Sequence, residues 1–271
     1  MNEEFARNRK HFTADILGGC VKILLTNDDG ISSPGIRLLA RELRIAGHRV
    51  FIVAPDTNRS GSSHSILFLN NPLKLSEIEE DTWVCTGTPV DCVVTALLGG
   101  IPEICIATEG TDLNMERAPD LILSGINSGA NLGTDIVYSG TASAARQGSF
   151  FGIPSVALSL VESDLSWQWE IVIPYIKEKL ISIMGYWKAE TFVNVNFPNI
   201  EKKPSALVPA FPSMRYYNDR IVTFTAPEGG VYCFAKPGKV DNIPEDGSDW
   251  AEVLKGNAAL SVVLSQPSVS N

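Results

Sequence analysis

The sequence predicts an α/β protein built on a mostly parallel sheet. Short, nearly continuous apolar runs, typical of strands buried on both faces, alternate with segments whose apolar residues recur at helical spacing. With 271 residues, 44% of them hydrophobic, the chain can bury one sizeable core or a core with a smaller appendage. The alternation ends near Pro198, beyond which Pro and Gly are frequent and apolar runs are short. We therefore expect one α/β domain followed by a segment of different character.

The individual elements are predicted from these patterns in chain order. The opening strand, helix and strand form a β-α-β unit, for which we expect a right-handed crossover. Pro89 fits the first turn of a later helix, and Gly99 fits its end. The predicted strands are residues 21–26, 48–54, 121–124, 155–160 and 192–197, and the predicted helices are residues 35–46, 89–98, 141–150 and a stretch within 167–187.

Three regions follow from this organisation. Residues 1–20 are predicted to be a flexible leader, because they lack the continuous apolar stretch of a secretory signal. Residues 21–198 are predicted to be the α/β core. Residues 199–271 are predicted to form hairpins or an arm that packs on another subunit, since a compact domain seldom carries so long an irregular segment alone.

Composition argues against several classes of partner. The formal net charge of -9 disfavours binding to a nucleic acid polymer or to an anionic membrane surface, because both require a positive field. No stretch is long and apolar enough to span a bilayer. The five cysteines are scattered without CxxC pairs, which favours reduced thiols and a cytoplasmic protein. An anionic substrate would need a local site of favourable potential.

Four polar clusters follow predicted strands or open a predicted helix. Loops at the carboxyl ends of parallel strands line one crevice, so motifs far apart in sequence can meet there. We therefore expect one site at this edge of the sheet. The clusters are residues 26–30 (TNDDG), 58–61 (NRSG), 124–129 (SGINSG) and 138–141 (YSGT).

The adjacent carboxylates Asp28 and Asp29 indicate a metal site. Two neighbouring carboxylates repel each other, and one would tend to bind a proton unless a cation lay between them. Mg²⁺ or Mn²⁺ prefers oxygen ligands, and Ser60 and Asn127 carry neutral oxygens of the kind that such an ion would still need. In the alternative interpretation, the aspartates only cap a helix or form a turn.

The glycine-containing segments suit phosphate binding, because tight turns and helix starts present free N–H groups to an anion. Residues 139–141 (Ser139, Gly140, Thr141) are the strongest candidates, since they open a helix. His64 could protonate a leaving alkoxide, although it could equally be a surface or substrate-positioning residue. Arg59 could neutralise phosphate charge or be an exposed turn residue.

Together these motifs resemble those of the SurE, or survival protein E, nucleotidase family. Their order and spacing match over roughly residues 21–264, with only weak local similarity after residue 198. The matching segments are residues 23–30 (ILLTNDDG) with 34–35 (PG), 53–56 (VAPD) with 58–61, 87–89 (GTP) with 91–93 (DCV), 124–133 (SGINSGANLG) and 138–141.

The resemblance implies a Rossmann-like three-layer sandwich with a C-terminal hairpin or arm used in forming a homodimer or homotetramer. It also implies that one divalent ion per subunit, Mg²⁺ or Mn²⁺, is held by Asp28, Asp29, Ser60 and Asn127. The implied activity is hydrolysis of nucleoside 5′- or 3′-monophosphates, with trimming of polyphosphate in some members. On this basis Asp28, Asp29 and His64 are the expected catalytic residues, and Asn27, Gly61, Asn131, Ser139, Gly140 and Thr141 are expected to bind the substrate phosphate.

The chain departs from the family pattern at three places. Gln147 stands where many members carry Glu, residues 101–117 form a longer stretch than usual, and the leader is additional. The longer stretch leaves the rim of the crevice, and hence substrate preference, open.

Two rival functions remain open from sequence. One is a regulatory protein that binds nucleotides in the same crevice without turnover, and the other is an assembly protein whose C-terminal arm matters most. Motifs for a nucleoside triphosphate loop (GxxxxGK[ST]), a dinucleotide fold (GxGxxG) and a serine hydrolase elbow (GxSxG) do not occur.

Overall fold

The computed structural model describes residues 19–267 apart from residues 111 and 244, so most of the predicted leader lies outside the described part. The strands are β1 (Lys22–Thr26), β2 (Arg49–Pro55), β3 (Leu75–Glu79), β4 (Thr82–Cys85), β5 (Leu121–Ser128), β6 (Ser155–Val161), β7 (Thr191–Pro198), β8 (Leu207–Pro209), β9 (Arg215–Tyr217), β10 (Arg220–Thr225), β11 (Val231–Lys236), β12 (Val240–Asn242) and β13 (Ala258–Leu264). The α-helices are α1 (Pro34–Ile45), α2 (Pro89–Thr95, continued by a π-helical turn Ala96–Gly100), α3 (Asp135–Tyr138), α4 (Gly140–Phe150), α5 (Trp169–Met184) and α6 (Asp249–Leu254).

Nine strands form one central sheet in the order β3-β4-β2-β1-β5-β6-β7-β13-β8. The six strands from β4 to β7 in this order are parallel to their neighbours, whereas β3 and β13 pair antiparallel with β4 and β7. The predicted α/β fold with a mostly parallel sheet is therefore confirmed. Two small two-stranded sheets, β10-β11 and β12-β9, belong to the C-terminal segment.

Helices cover both faces of the sheet. Apolar residues of α1 and α5 pack with those of β1, β5, β6 and β7 on one face, and apolar residues of α2 and α4 pack with those of β1, β2 and β5 on the other. Each fully buried Leu, Ile or Val contributes roughly 1.5–3 kcal/mol. The strand ends that carry the polar clusters are consequently fixed on a well-packed platform.

The element predictions differ from the structure in three places. Strand β5 continues through the third polar cluster, residues 124–129, to Ser128, so that cluster is the end of a strand rather than a loop after it. The hairpin of β3 and β4 was not predicted, because residues 76–82 carry four acidic side chains and do not alternate cleanly.

The third difference concerns the C-terminal segment. The boundary expected at residue 198 does not coincide with the edge of the sheet, because β8 and β13 both belong to the central sheet. Every residue of strands β10 and β11 is exposed, and the arm function expected for this segment stays a prediction. No helix among the described residues is long and apolar enough to cross a membrane.

Candidate metal and phosphate site

The polar clusters meet at the carboxyl ends of β1 and β5, the two neighbouring strands at the centre of the sheet. The strands that follow along the chain lie on opposite sides of this pair, β2 beside β1 and β6 beside β5. Such a change in direction opens a crevice beyond the strand ends, where ligands of doubly wound sheets bind. The structure therefore places the expected site where the topology provides room for a ligand.

The turn that carries the two aspartates is closed by the side chain of Asn27. Its amide nitrogen donates to the carbonyl of Gly30 at 2.9 Å, and the N–H of Gly30 donates back to its amide oxygen at 3.2 Å. Gly30 has a φ of +95°, a conformation that side-chain-bearing residues rarely adopt. Asn27 is 0% exposed, and both ends of its side-chain amide bond to Gly30, so the side chain positions Asp28 and Asp29. Its predicted contact with phosphate stays a prediction.

Asp28 is a buried carboxylate, with 3% of its surface exposed. The hydroxyl of Thr141 donates to its Oδ1 at 2.5 Å. Burial raises the pKa of Asp28, the hydrogen bond from Thr141 opposes this shift, and the nearby charge of Asp29 raises the pKa further. Thr141 therefore holds the carboxylate at the start of α4, where burial and the neighbouring Asp29 disfavour its charged form.

Asp29 is less buried and lies against β5. Its Oδ2 accepts a hydrogen bond from the N–H of Ser128 at 3.0 Å. This contact joins the turn after β1 to the end of β5 and leaves the second carboxylate oxygen of Asp29 for another partner. Among the described residues, no Lys, Arg or His forms an ion pair with Asp28 or Asp29.

Ser60 is brought to the site through its neighbour Arg59. The backbone N–H of Arg59 donates to the carbonyl of Asp28 at 2.7 Å, which fixes the loop after β2 against the turn after β1. The guanidinium of Arg59 donates to Asp56 at 2.9 Å and to the carbonyl of Thr86 at 3.1 Å, so this side chain braces the loop. Ser60 follows directly and is exposed, as is Gly61.

Asn127 lies near the end of β5, next to the residue that contacts Asp29. Its amide nitrogen donates to the carbonyl of Gly129 at 3.0 Å, which leaves the amide oxygen available. Two carboxylates, one hydroxyl and one amide oxygen form a donor set that suits Mg²⁺ or Mn²⁺. Asp28 and Asp29 have no ion-pair partner among the described residues, so their charge fits a cation, and these four residues are suited to hold one. No group of three or more His, Cys, Asp or Glu side chains that could hold a metal occurs in the described chain.

Helix α4 begins directly against Asp28. The hydroxyl of Ser139 caps the helix by accepting from the N–H of Ala142 at 2.9 Å. A Cβ added at Gly140 would lie 2.9 Å from the Cβ of Asp28, so only glycine allows this approach. Because Ser139 caps the helix and Thr141 binds Asp28, the group left for a phosphate is chiefly the N–H of Gly140 in the first turn.

Asn131 is placed differently from the expectation. It is 5% exposed, and its amide nitrogen donates to the hydroxyl of Ser159 at 2.8 Å. Its backbone N–H donates to Asn196 at 2.9 Å, and its carbonyl accepts from Asn194 and Asn196. Asn131 therefore joins β6 and β7 in a buried amide network, and the predicted phosphate contact of its side chain stays a prediction.

His64 contacts α4 near the end of the helix, whereas Asp28 contacts its start. Its Nε2 is 3.0 Å from the Oε1 of Gln147, and its ring packs against Phe150 at a centroid distance of 5.7 Å. Gln147 is six residues beyond Thr141, which corresponds to about 9 Å along a helix. Burial lowers the pKa of His64, the hydrogen bond with Gln147 opposes this, and Arg146 lowers it further. The environment of the imidazole therefore favours its neutral form, and among the described contacts none joins it to Asp28 or Asp29.

Asp91 holds part of the loop after β2 in place, a structural role that was not identified from sequence. It is fully buried at the start of α2, where it accepts from the N–H and hydroxyl of Thr88. It also accepts from the N–H groups of Leu67 at 3.1 Å and Phe68 at 3.4 Å. The spacing of Thr88 and Asp91 in the sequence is that of a capping box, and this pattern could have been recognised. The contact of Asp91 with the backbone of residues 67–68 has no such signal in the sequence.

An open cavity of about 550 Å³ lies at another place, between α5 and residues 203–207. Its two lysines, Lys179 and Lys203, both pair with Glu178. None of the residues discussed above lines it, so it is distinct from the carboxylate site.

Comparison with known proteins relates the chain to one family. A family model described as survival protein SurE matches residues 23–217. A 5′-nucleotidase SurE of Xanthomonas campestris pv. campestris (strain 8004) is 41% identical over 253 residues, which cover 90% of this chain and 89% of that protein. One of Geobacter metallireducens is 36% identical over 248 residues, covering 89% and 90%. One of Xylella fastidiosa (strain M12) is 42% identical over 189 residues, and that match spans 65% of the relative's length.

A solved structure agrees with these sequence matches. The crystal structure of the SurE protein from Aquifex aeolicus is similar to this chain with a TM-score of 0.74 and 32% sequence identity. The similarity covers 91% of this chain and 94% of that one.

Proposed function

The chain belongs to the SurE family, and on that premise we propose that it is a metal-dependent 5′-nucleotidase. It hydrolyses nucleoside 5′-monophosphates to nucleoside and phosphate, and 3′-monophosphates and short polyphosphates are further candidate substrates. The observation that carries this proposal is the buried carboxylate of Asp28, which lies beside Asp29 without a positive partner in the described chain and against the start of α4. The negative charge of the carboxylates favours binding of a cation, and the N-terminus of α4 favours binding of an anion such as phosphate.

In this proposal Asp28, Asp29, Ser60 and Asn127 hold one Mg²⁺ or Mn²⁺ per subunit. The ion, when bound, supplies positive charge for the phosphoryl group and lowers the pKa of water. Thr141 fixes the orientation of Asp28 through its hydroxyl. Asp29, anchored through one oxygen by Ser128, uses its other oxygen to orient the attacking water. The N–H of Gly140, at the positive end of α4, holds a phosphate oxygen.

Gly61 and His64 have supporting roles. The connection between β2 and β3, residues 56–74, carries Ser60 and is called the Ser60 loop. Within it, Gly61 has a φ of +76° and open space around it, so the backbone of the loop can approach a phosphate closely. His64 is proposed to act at the rim, on the leaving side of the substrate, because Gln147 holds it away from the carboxylates. The protein is acidic overall and would repel an anionic substrate. In this proposal the metal ion and the N–H groups of the site attract the phosphate locally.

We further propose that the protein is cytoplasmic and forms a homodimer or homotetramer through the β10-β11 hairpin. The hairpin exposes four large side chains on one face, and contiguous exposed apolar surface of this kind commonly marks an interface. These side chains are Val222, Phe224, Tyr232 and Phe234.

The test is release of phosphate from a panel of nucleoside 5′- and 3′-monophosphates and tripolyphosphate, with Mg²⁺, Mn²⁺ or EDTA. We expect turnover of 5′-monophosphates that EDTA abolishes. Asp29→Asn should lower turnover by at least a hundredfold and leave the circular dichroism spectrum unchanged, whereas the exposed change Asp246→Asn should leave turnover unchanged. Binding of nucleotide without turnover under either ion would instead support the regulatory function.

A further inference from the structure

An exposed tyrosine directly precedes the helix start of the site. Tyr138 ends α3, and its aromatic side chain is 56% exposed, a large fraction for so large an aromatic residue. Its ring lies 6.1 Å from the ring of Tyr217 at an interplanar angle of 86°, so the two form an edge-to-face pair. The pair presents an aromatic surface beside the crevice that the proposed mechanism does not use.

Tyr138 is close to the phosphate site. It is two residues from Gly140, so their Cα atoms are at most about 7.6 Å apart. Gly140 in turn packs against Asp28. In a nucleoside 5′-monophosphate one ribose separates the phosphate from the base. A phosphate at the start of α4 therefore leaves the base within reach of the Tyr138 ring.

The backbone of Tyr138 and the ring of Tyr217 are held in place by other groups. The carbonyl of Tyr138 accepts from the N–H of Ser63 at 3.1 Å, which fixes its backbone against the Ser60 loop. The hydroxyl of Tyr217 donates to Asp135, which also pairs with the guanidinium of Arg215. The side chain of Arg215 is only 7% exposed. The aromatic surface is thus preorganised, which reduces the entropy lost when a ligand stacks on it.

We propose that Tyr138, braced by Tyr217, is the surface on which the nucleobase of the substrate stacks. Every base has a π face, and a purine offers a larger one than a pyrimidine, so Tyr138 makes the enzyme favour purine nucleotides over base-free sugar phosphates. Tyr138 acts in substrate binding rather than in the chemical step. The inference rests on the proposed nucleotidase function and adds to it the part of the molecule that reads the base.

The experiment compares kcat/KM for AMP, CMP and ribose 5-phosphate, which has the same sugar phosphate without a base. Tyr138→Ala should lower kcat/KM for AMP about tenfold, in keeping with the effect of losing one base–aromatic stack, and lower it less for CMP. Its kcat/KM for ribose 5-phosphate and the inhibition constant of inorganic phosphate should stay within about twofold of the unsubstituted protein. Tyr138→Phe keeps the ring and should behave as the unsubstituted protein.

A matched control is Tyr186→Ala, which removes a partly exposed tyrosine that follows α5 at the opposite edge of the sheet. It should leave all four quantities unchanged. Equal effects of Tyr138→Ala on AMP and on the two base-free ligands, or no effect on AMP, would overturn the inference while the nucleotidase function stands. If the unsubstituted protein turns over none of the three phosphate esters, the proposed function itself has failed.

Discussion

At the scale of single residues, Asp28 combines burial, a neighbouring negative charge and one strong hydrogen bond. Burial and Asp29 raise its pKa, so the ionised form is costly in the metal-free protein. This cost gives the site a measurable property that does not depend on turnover. A cation that binds Asp28 and Asp29 offsets the cost of the ionised form and so stabilises the folded state, because the unfolded chain has no preformed site.

We predict that Asp28→Asn abolishes the stabilisation of the protein by metal. In EDTA the variant should melt at the same temperature as the unsubstituted protein or higher, because a neutral amide relieves the buried charge. Mn²⁺ at about a hundred times its Kd adds about 2.7 kcal/mol, which should raise the melting temperature of the unsubstituted protein by about 5–10 °C. Asp28→Asn should lose this rise, and the exposed change Asp246→Asn should keep it. A rise of equal size in Asp28→Asn would place the ion elsewhere.

Gly140 provides a second residue-scale prediction. A methyl group there would lie 2.9 Å from the Cβ and 3.1 Å from the Oδ2 of Asp28, and 3.2 Å from Pro89. Gly140→Ala should therefore displace Asp28, lower kcat/KM for AMP by at least about tenfold and cost about 1–3 kcal/mol of stability. Gly99→Ala, whose added methyl meets nothing within 4 Å, is the control for both measurements. Unchanged kcat/KM in Gly140→Ala would contradict the close packing of α4 on Asp28.

From the sequence we could predict which residues gather at the site. We could not predict which partner each side chain contacts. Asp28, Asp29 and Thr141 could be placed together because strand ends and a helix start share one edge of the sheet. Asn27 and Asn131 belong to the same motifs, yet their amides bond to backbone and side chains nearby. An amide can serve a ligand or the local fold equally well, and only the surrounding geometry decides between them.

At the scale of elements, the Ser60 loop is fixed from two sides. The N–H of Arg59 holds its start against the turn after β1. Asp91 holds its later part by accepting from two backbone N–H groups of residues 67–68. The loop therefore has the order that a metal ligand needs, although it lacks regular secondary structure.

We predict that Asp91→Asn loosens this loop. The amide has one acceptor oxygen in place of two, so a buried N–H loses its partner at a cost of about 1–3 kcal/mol. Hydrogen exchange in residues 62–71 should become faster, and the affinity for Mn²⁺ should fall, because Ser60 is held less firmly. The exposed change Glu80→Gln should alter neither property. Faster exchange spread evenly over the whole chain would instead indicate general destabilisation.

The helices and strands were predicted correctly where the apolar residues form a strong pattern in the sequence. They were missed at the edge of the sheet, where a strand is only partly buried. Strands β1, β2, β5, β6 and β7 carry nearly continuous apolar runs and were located within a few residues, whereas the other four strands of the central sheet were not predicted. The β3-β4 hairpin lies at the sheet edge, where charged side chains are tolerated and the apolar pattern is lost.

At the scale of the whole molecule, the C-terminal segment does two things. Strands β8 and β13 extend the central sheet, while β10 and β11 form a hairpin whose residues are all exposed. A truncation after residue 198 would remove both parts at once and strip β7 of its partner. Point substitutions in the hairpin separate assembly from folding.

We predict that Phe224→Ser combined with Phe234→Ser lowers the mass of the protein in solution to that of a monomer. The two rings lie 5.6 Å apart on one face of the hairpin, and their removal takes away the apolar surface proposed for association. Light scattering gives the mass, and the rise in melting temperature with Mn²⁺ should be retained because the carboxylate site is untouched. Leu69→Ser, at another exposed apolar side chain, should leave the mass unchanged. An unaltered mass in the double variant would remove the hairpin from the interface.

The position of β13 in the sheet also governs how the chain acquires its structure during synthesis. Strand β7 is completed on one side by β6, but its other partner emerges from the ribosome only after the entire hairpin segment has been translated. A nascent chain that stops short of β13 presents an open, apolar strand edge, which is prone to pair with other chains. Full maturation of the sheet that supports the carboxylate site is therefore a late event in translation.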